Sequence, residues 1–278
     1  MAPTPETDTD RIQWEALIQQ ARRFTYCLID ETEQGIGSAI AVHLGERFFL
    51  ATAKHVIDNN HDLKILARDS LVPVTSSDFM ARHCDEQLDV GLLELNSNAA
   101  DRFDFTDGTR LLAEIDIEGE LPAIVVGYPG QFIRSAETQI AENIELHINR
   151  CDVLMYRSVV LPQSEWPDDD LLPNPLSRDR DILLDYHWEP RIRHVPPNTS
   201  VIDVSAVDCH RLDPRGMSGG GIWLAQVEER SGGLRFPDVR LIGIQTGWYE
   251  QDGWLKGHRI GGWLDMVHSV YPDLREGG

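Results

Sequence analysis

The sequence predicts an all-β fold framed by two short helices, and three observations carry that prediction. Short apolar or alternating runs separated by turn residues fill most of the chain. Helical spacing of apolar residues occurs only near the two ends. The apolar fraction is 41%, and with 22 glycines in 278 residues it supports a sizeable core rather than disorder. About 150 residues per domain gives two domains as a prior, although barrels and sandwiches often use this length as one unit.

Residues 1–9 read as a tail. Asp10 offers an N-cap with Gln13 three positions on. Trp14, Leu17, Ile18 and Ala21 then step at i, i+3, i+4, i+7, which predicts a helix over 11–23. Strand runs follow: FTYCLID, IGSAIAVHL, RFFLAT, LKILA, LVPVT and LDVGLLEL. The acidic stretch 96–120 reads as loop. A second set comprises PAIVVGY, NIELHI, VLMYRSVV, SVIDVSAV, GGIWLA and VRLIGIQTG. Residues 161–200 hold 7 of the 15 prolines and the run Asp168, Asp169, Asp170, so a long surface loop or flap is expected there. Trp263, Met266, Val267 and Val270 predict a C-terminal helix before Pro272. The expected organisation is tail and helix over 1–23, a first β-unit over 24–118, and a second over 119–278 containing the 161–200 insertion and the last helix.

The chain carries 46 acidic against 25 basic residues, a formal charge of −21. Like charge argues against a nucleic-acid partner, whereas basic peptides or proteins would be attracted. No apolar run approaches the ~18 residues of a membrane span. The polar, acidic start is unlike a secretory signal, and the four scattered cysteines (27, 84, 151, 209) have no metal-type spacing. Four reduced thiols in a cytoplasmic protein are therefore expected, with no metal site and no cofactor.

Three places suggest chemistry. In Arg215-Gly216-Met217-Ser218-Gly219-Gly220-Gly221 a serine lies between glycines that permit a tight turn, and the run enters the strand GIWLA. Such a turn can aim successive N–H groups into one concavity suited to negative charge. In Thr52-Ala53-Lys54-His55 a histidine ends a strand, where an imidazole can serve as general base. In Asp89-Val90-Gly91-Leu92-Leu93 a carboxylate enters an apolar strand. It needs a partner there, and a histidine Nδ1–H would serve. Each pattern alone has a structural explanation: a linker, a hydrogen-bonded histidine, a strand-start aspartate.

In the order His, Asp, Ser, these segments resemble the trypsin/chymotrypsin-like serine proteases, together with Gly37-Ser38-Ala39-Ile40 upstream and Ile242-Gly243-Ile244-Gln245-Thr246-Gly247 downstream. The resemblance spans about 35–260. It implies two six-stranded antiparallel β-barrels with a cleft between them. It implies Ser218 as nucleophile, His55 as general base and acid, Asp89 as the carboxylate that holds the imidazole, and the N–H groups of Gly216 and Ser218 as the oxyanion hole. Gln245, Thr246 and Gly247 would form a wall of the substrate cleft. Leu212 or Asp213 would lie at the base of the primary pocket, Leu212 favouring apolar side chains and Asp213 favouring Lys or Arg. Two departures stand out. Val56 replaces the cysteine usual after the histidine in secreted relatives, and Met217 replaces the aspartate that pairs with a freed N-terminus in zymogens. Both resemble the bacterial intracellular and HtrA-like branches, and the stretch after 260 is too short for a PDZ domain. Activation through a new N-terminus is therefore not expected, and any activating partner is left open.

The function so implied is a serine endopeptidase. The alternatives are a catalytically silent protease-fold protein that binds peptides, and an esterase. The α/β-hydrolase elbow requires strand–turn–helix and the order Ser, Asp, His, neither of which fits.

Overall fold

The computed structural model describes residues 8–30, 35–58, 63–66, 74–129, 153–167, 176–186, 192–195, 214–226, 228–230, 233–235, 238–250 and 253–275. The fold is mostly β, built from two large antiparallel sheets with short helices. Helix α1 (Asp8–Arg23) begins earlier than its spacing predicts, so Asp10 lies in the first turn and not at the cap.

The first sheet contains β1 (Thr25–Ile29), β2 (Gly35–Leu44), β3 (Arg47–Ala53), β4 (Lys64–Leu66), β5 (Phe79–Asp85) and β6 (Val90–Leu95), with the short β7 (Thr106–Asp107) beside β2. Its order is β4-β1-β2-β3-β6-β5. It curls without closing, because no ladder joins β4 to β5 among the described residues. Helix α2 (Lys54–Asp58) follows β3 directly, and α3 (Ser97–Ala100) is capped by Asn96, whose side chain accepts the Ala99 N–H.

The second sheet is assembled from β8 (Leu121–Gly127), β9 (Val153–Val160), β10 (Asp181–Asp185), β11 (Ile192–Val195), β12 (Gly221–Ala225), β15 (Val239–Tyr249) and β16 (Trp254–Arg259). The hairpin β13 (Glu228–Arg230) and β14 (Gly233–Arg235) stands apart. The order β10-β16-β15-β12-β8-β9 returns to its start through the Leu184–Val160 pair, which closes a six-stranded barrel and removes its edges. Asp181–Asp185 therefore corrects the expected 161–200 loop. Its DILLD run is a buried barrel strand, although proline-rich sequence surrounds it. The expected strands NIELHI and SVIDVSAV, most of LVPVT and the Asp168–Asp170 run lie outside the described residues.

Alternation explains why the barrel strands read as continuous apolar runs. On β8, Ala123 and Val125 face the barrel interior with Ile182, Leu184, Ile222, Ile242 and Leu255. Ile124 and Val126 join a second cluster with Trp223, Leu241 and Leu17, Ile18 and Ala21 of α1. Both faces are buried, so the period-2 signal vanishes. The last helix, α4 (Ile260–Val270), inserts Trp263 and Val267 into this same cluster beside Phe49 and Leu92 of the first sheet. Trp263 Nε1 donates to the Gly91 carbonyl at 3.1 Å, which fixes the strand that follows Asp89. Among the described residues, no helix is long and apolar enough to cross a membrane.

Candidate functional site

His55 occupies the first turn of α2, directly after β3, and Asp89 immediately precedes β6, the neighbour of β3. The β3–β6 register pairs Ala53 with Val90 and so brings the two chain ends together. His55 Nδ1 lies 2.7 Å from Asp89 Oδ2, and the His55 backbone N–H donates to Asp89 Oδ1 at 3.1 Å. The Asp89 carbonyl accepts the Lys54 N–H at 3.0 Å. The carboxylate thus holds both the ring and the helix that carries it. Asp89 has φ +48°, a left-handed conformation that aspartate tolerates better than most residues. The side chains of His55 and Asp89 are 47% and 35% exposed, so the expected buried carboxylate is in fact partly open to solvent. Asp85 is engaged elsewhere. Its Oδ1 accepts the N–H groups of Gln87 and Leu88, shaping the turn before Asp89.

Ser218 lies on the turn entering β12. The Met217 N–H donates to the Pro214 carbonyl at 2.9 Å, with Gly216 third in the turn at φ +94°, the glycine position of a type II turn. Gly219 has φ +88°, and a Cβ there would stand 2.0 Å from the Ser38 carbonyl oxygen, so only glycine fits. The N–H of Gly219 donates to the Gln245 carbonyl, and the Gln245 N–H donates to the Gly220 carbonyl. The serine turn is therefore laced to β15. Among the described residues, nothing accepts the N–H of Gly216 or of Ser218, which leaves two donors on the same turn. Met217 is fully buried in the barrel interior and packs on Gly127. It is a core residue with no capacity to pair with an ammonium.

The serine turn and the helix that carries His55 both pack on β2. The Ser218 carbonyl accepts the Ser38 N–H at 2.8 Å. Val56, next to His55, and the Ser218 carbonyl both crowd Gly37: a Cβ there would lie 2.4 Å from Val56 Cγ1 and 3.1 Å from the Ser218 oxygen. Among the described residues, no hydrogen bond joins Ser218 to His55.

On β15, Gln245 and Thr246 are buried and Gly247 is half-buried, at a bulge in the β15–β16 ladder. Gln245 Nε2 donates to the Gly247 carbonyl at 3.0 Å, while its Oε1 is buried without a partner among the described residues. Leu212, Asp213 and Cys209 lie outside the described residues, as does Cys151. Cys27 is buried in the core, and burial raises the thiol of the half-buried Cys84 above its ordinary pKa.

The structure also holds a second Asp–His pair that sequence reading missed. Asp181 Oδ1 and His258 Nδ1 are 2.6 Å apart, with Lys256 Nζ 3.2 Å from Asp181 Oδ2. The residues lie 77 positions apart, and Asp181 falls in the stretch expected to be loop; no local signal joins them. Burial opposes the charge on Asp181, but contact with His258, helped by the Ser177 N–H and Lys256, outweighs it and holds the carboxyl below its usual pKa. His258 borders a cavity of about 900 Å³ beside α4, lined also by Leu88, Arg259 and Asp265; among the described residues no serine or cysteine lines it. This pair lacks a nucleophile and is read as structural. Among the described residues, no group of three or more His, Cys, Asp or Glu is placed to hold a metal ion. The sequence matches no family model and no curated protein.

Proposed function

We propose that the chain is a trypsin-like serine endopeptidase acting through Ser218, His55 and Asp89 and an acyl-enzyme. The observation that carries this is the 2.7 Å contact between His55 Nδ1 and Asp89, at the end of the first sheet where the glycine-flanked Ser218 turn docks on β2. A carboxylate at Nδ1 fixes the tautomer with a free Nε2, which is the form able to take a hydroxyl proton. Ser218 Oγ would attack the scissile carbonyl as His55 Nε2 takes its proton. The unengaged N–H groups of Gly216 and Ser218 would stabilise the oxyanion. The protonated imidazole would then donate to the leaving amine, and water would release the acyl group by the same route.

In this proposal the curled first sheet corresponds to the first of two six-stranded chymotrypsin-like barrels. Gln245, Thr246 and Gly247 border the substrate, and Leu212 or Asp213 sets the primary pocket. The substrate is a peptide or protein, with basic sequences favoured by the charge of −21. The site chemistry needs no cofactor, nucleic acid or membrane, and we place the protein in the cytoplasm. A silent peptide-binding protein is the second reading, favoured by the missing His55–Ser218 hydrogen bond. A proteome-derived peptide library separates the two. Cleavage by wild type and none by Ser218→Ala supports the peptidase, whereas intact peptides retained by both proteins support the binder.

A further inference from the structure

Ser38 has no part in the proposed proton transfers, yet it is fully buried and every polar atom it has is engaged. Its carbonyl accepts from Thr52 Oγ1 at 2.7 Å, and its Oγ accepts the Tyr128 N–H at 2.8 Å. Its N–H donates to the Ser218 carbonyl at 2.8 Å, and its Oγ donates to the Gly216 carbonyl at 3.2 Å. One residue of the first sheet therefore grips the two carbonyls that flank Met217.

The consequence follows from peptide geometry. The Gly216–Met217 peptide is held at both ends, its carbonyl by Ser38 Oγ and its N–H by the Pro214 carbonyl. The Ser218–Gly219 peptide is held likewise, by the Ser38 N–H and the Gln245 carbonyl. The Met217 carbonyl accepts the Gly220 N–H at 2.7 Å. With these groups taken, the N–H groups of Gly216 and Ser218 are left to face a ligand. Glycine at φ +94° offers little resistance to rotation of its own peptides. Without the Ser38 hydroxyl, the Gly216 carbonyl loses its anchor and the turn has a second orientation open to it.

We infer that Ser38 is a positioning residue that presets the oxyanion hole from the opposite sheet, in place of the charge pair that Met217 cannot make. This rests on the proposed peptidase function. It identifies what orders the turn: packing between the two sheets, present before substrate arrives.

The test compares Ser38→Ala, Ser38→Thr and Ser158→Ala. The last removes another buried hydroxyl, bonded to the Asp185 carbonyl on the far side of the barrel, and controls for lost stability. Two readouts are taken well below the melting temperature: kcat and KM on a cleaved peptide, and amide hydrogen exchange of the segment 214–220. Ser38→Ala should lower kcat by roughly 10- to 100-fold, somewhat less than removal of an oxyanion donor. KM should stay within about twofold, and exchange in 214–220 should quicken. Ser38→Thr should restore most of kcat, and Ser158→Ala should change neither readout. An active wild type whose kcat and 214–220 exchange are both unaffected by Ser38→Ala would overturn the inference, as would equal losses in Ser158→Ala. Faster exchange in Ser38→Ala with no turnover even in wild type would uphold the clamp and sink the peptidase.

Discussion

Replacing Asp89 by Asn and by Ala separates its two roles. In the folded protein Oδ1 accepts the His55 N–H and Oδ2 faces His55 Nδ1. An amide can serve only one of these as acceptor. With its oxygen on the backbone N–H, its NH₂ group faces Nδ1, so Nδ1 must accept and the proton moves to Nε2. That tautomer cannot take the Ser218 proton, and a kcat loss of about 10⁴-fold is the scale for such an exchange. Stability should change little in Asp89→Asn, because asparagine also tolerates φ +48°. Asp89→Ala should lose comparable activity and also stability. A left-handed non-glycine residue costs about 1–2 kcal/mol, and losing an acceptor at a helix start costs about 1 kcal/mol. At roughly 2–4 °C per kcal/mol for a chain of this size class, the Ala variant should melt several degrees below the Asn variant. Peptide hydrolysis from pH 6 to 9 with parallel thermal melts measures both effects. Near-wild-type turnover by Asp89→Asn would refute the tautomer argument, and equal melting of the two variants would refute the backbone argument.

Asp85→Asn should leave kcat within about threefold of wild type, since an amide oxygen can still accept from Gln87 and Leu88; steady-state kinetics checks it. Asp181→Asn should destabilise by about 3–5 kcal/mol at pH 7, because Lys256 loses its counter-charge and His258 Nδ1 loses its buried carboxylate partner. The lowered pKa of Asp181 means that its stabilisation is present above the ordinary carboxylate pKa and lost as pH falls through the folded value, so melts of wild type and variant should converge under acid. Burial and the Glu94 contact raise the Tyr271 pKa from 10 to about 12. Its contribution is therefore complete below pH 10 and lost as pH rises towards 12, which melts of wild type and Tyr271→Phe between pH 9 and 12 would detect.

The sequence made legible what is written locally. The helical spacing of Leu17, Ile18 and Ala21 and of Trp263, Met266 and Val267, the long run of β15, and the glycines around Ser218 all lie where the structure has a helix, strand or tight turn. Seven of the described strands were missed, and for three of them the structure shows the physical reason. FMARHCD is polar because β5 is a half-exposed edge, and WLKGHR carries charges whose ends reach partners or solvent. DILLD was hidden by surrounding prolines that sit outside the strand. Within the site, the approach of Asp89 to His55 follows from strand register, which the order of motifs only hints at. The positive φ of Asp89, the Asp181–His258 contact and the grip of Ser38 on the serine turn depend on three-dimensional closure and leave no local pattern.

The most direct test of the central claim is covalent labelling of the intact wild-type chain with a fluorophosphonate near pH 7.5, read by whole-protein mass and peptide mapping. A peptidase with Ser218 activated by His55 and Asp89 gives one phosphonyl adduct, located on Ser218. That adduct should be absent in Ser218→Ala and slower by orders of magnitude in His55→Ala. A folded wild-type chain with an unmodified Ser218, or with an adduct that persists in Ser218→Ala, would contradict the account.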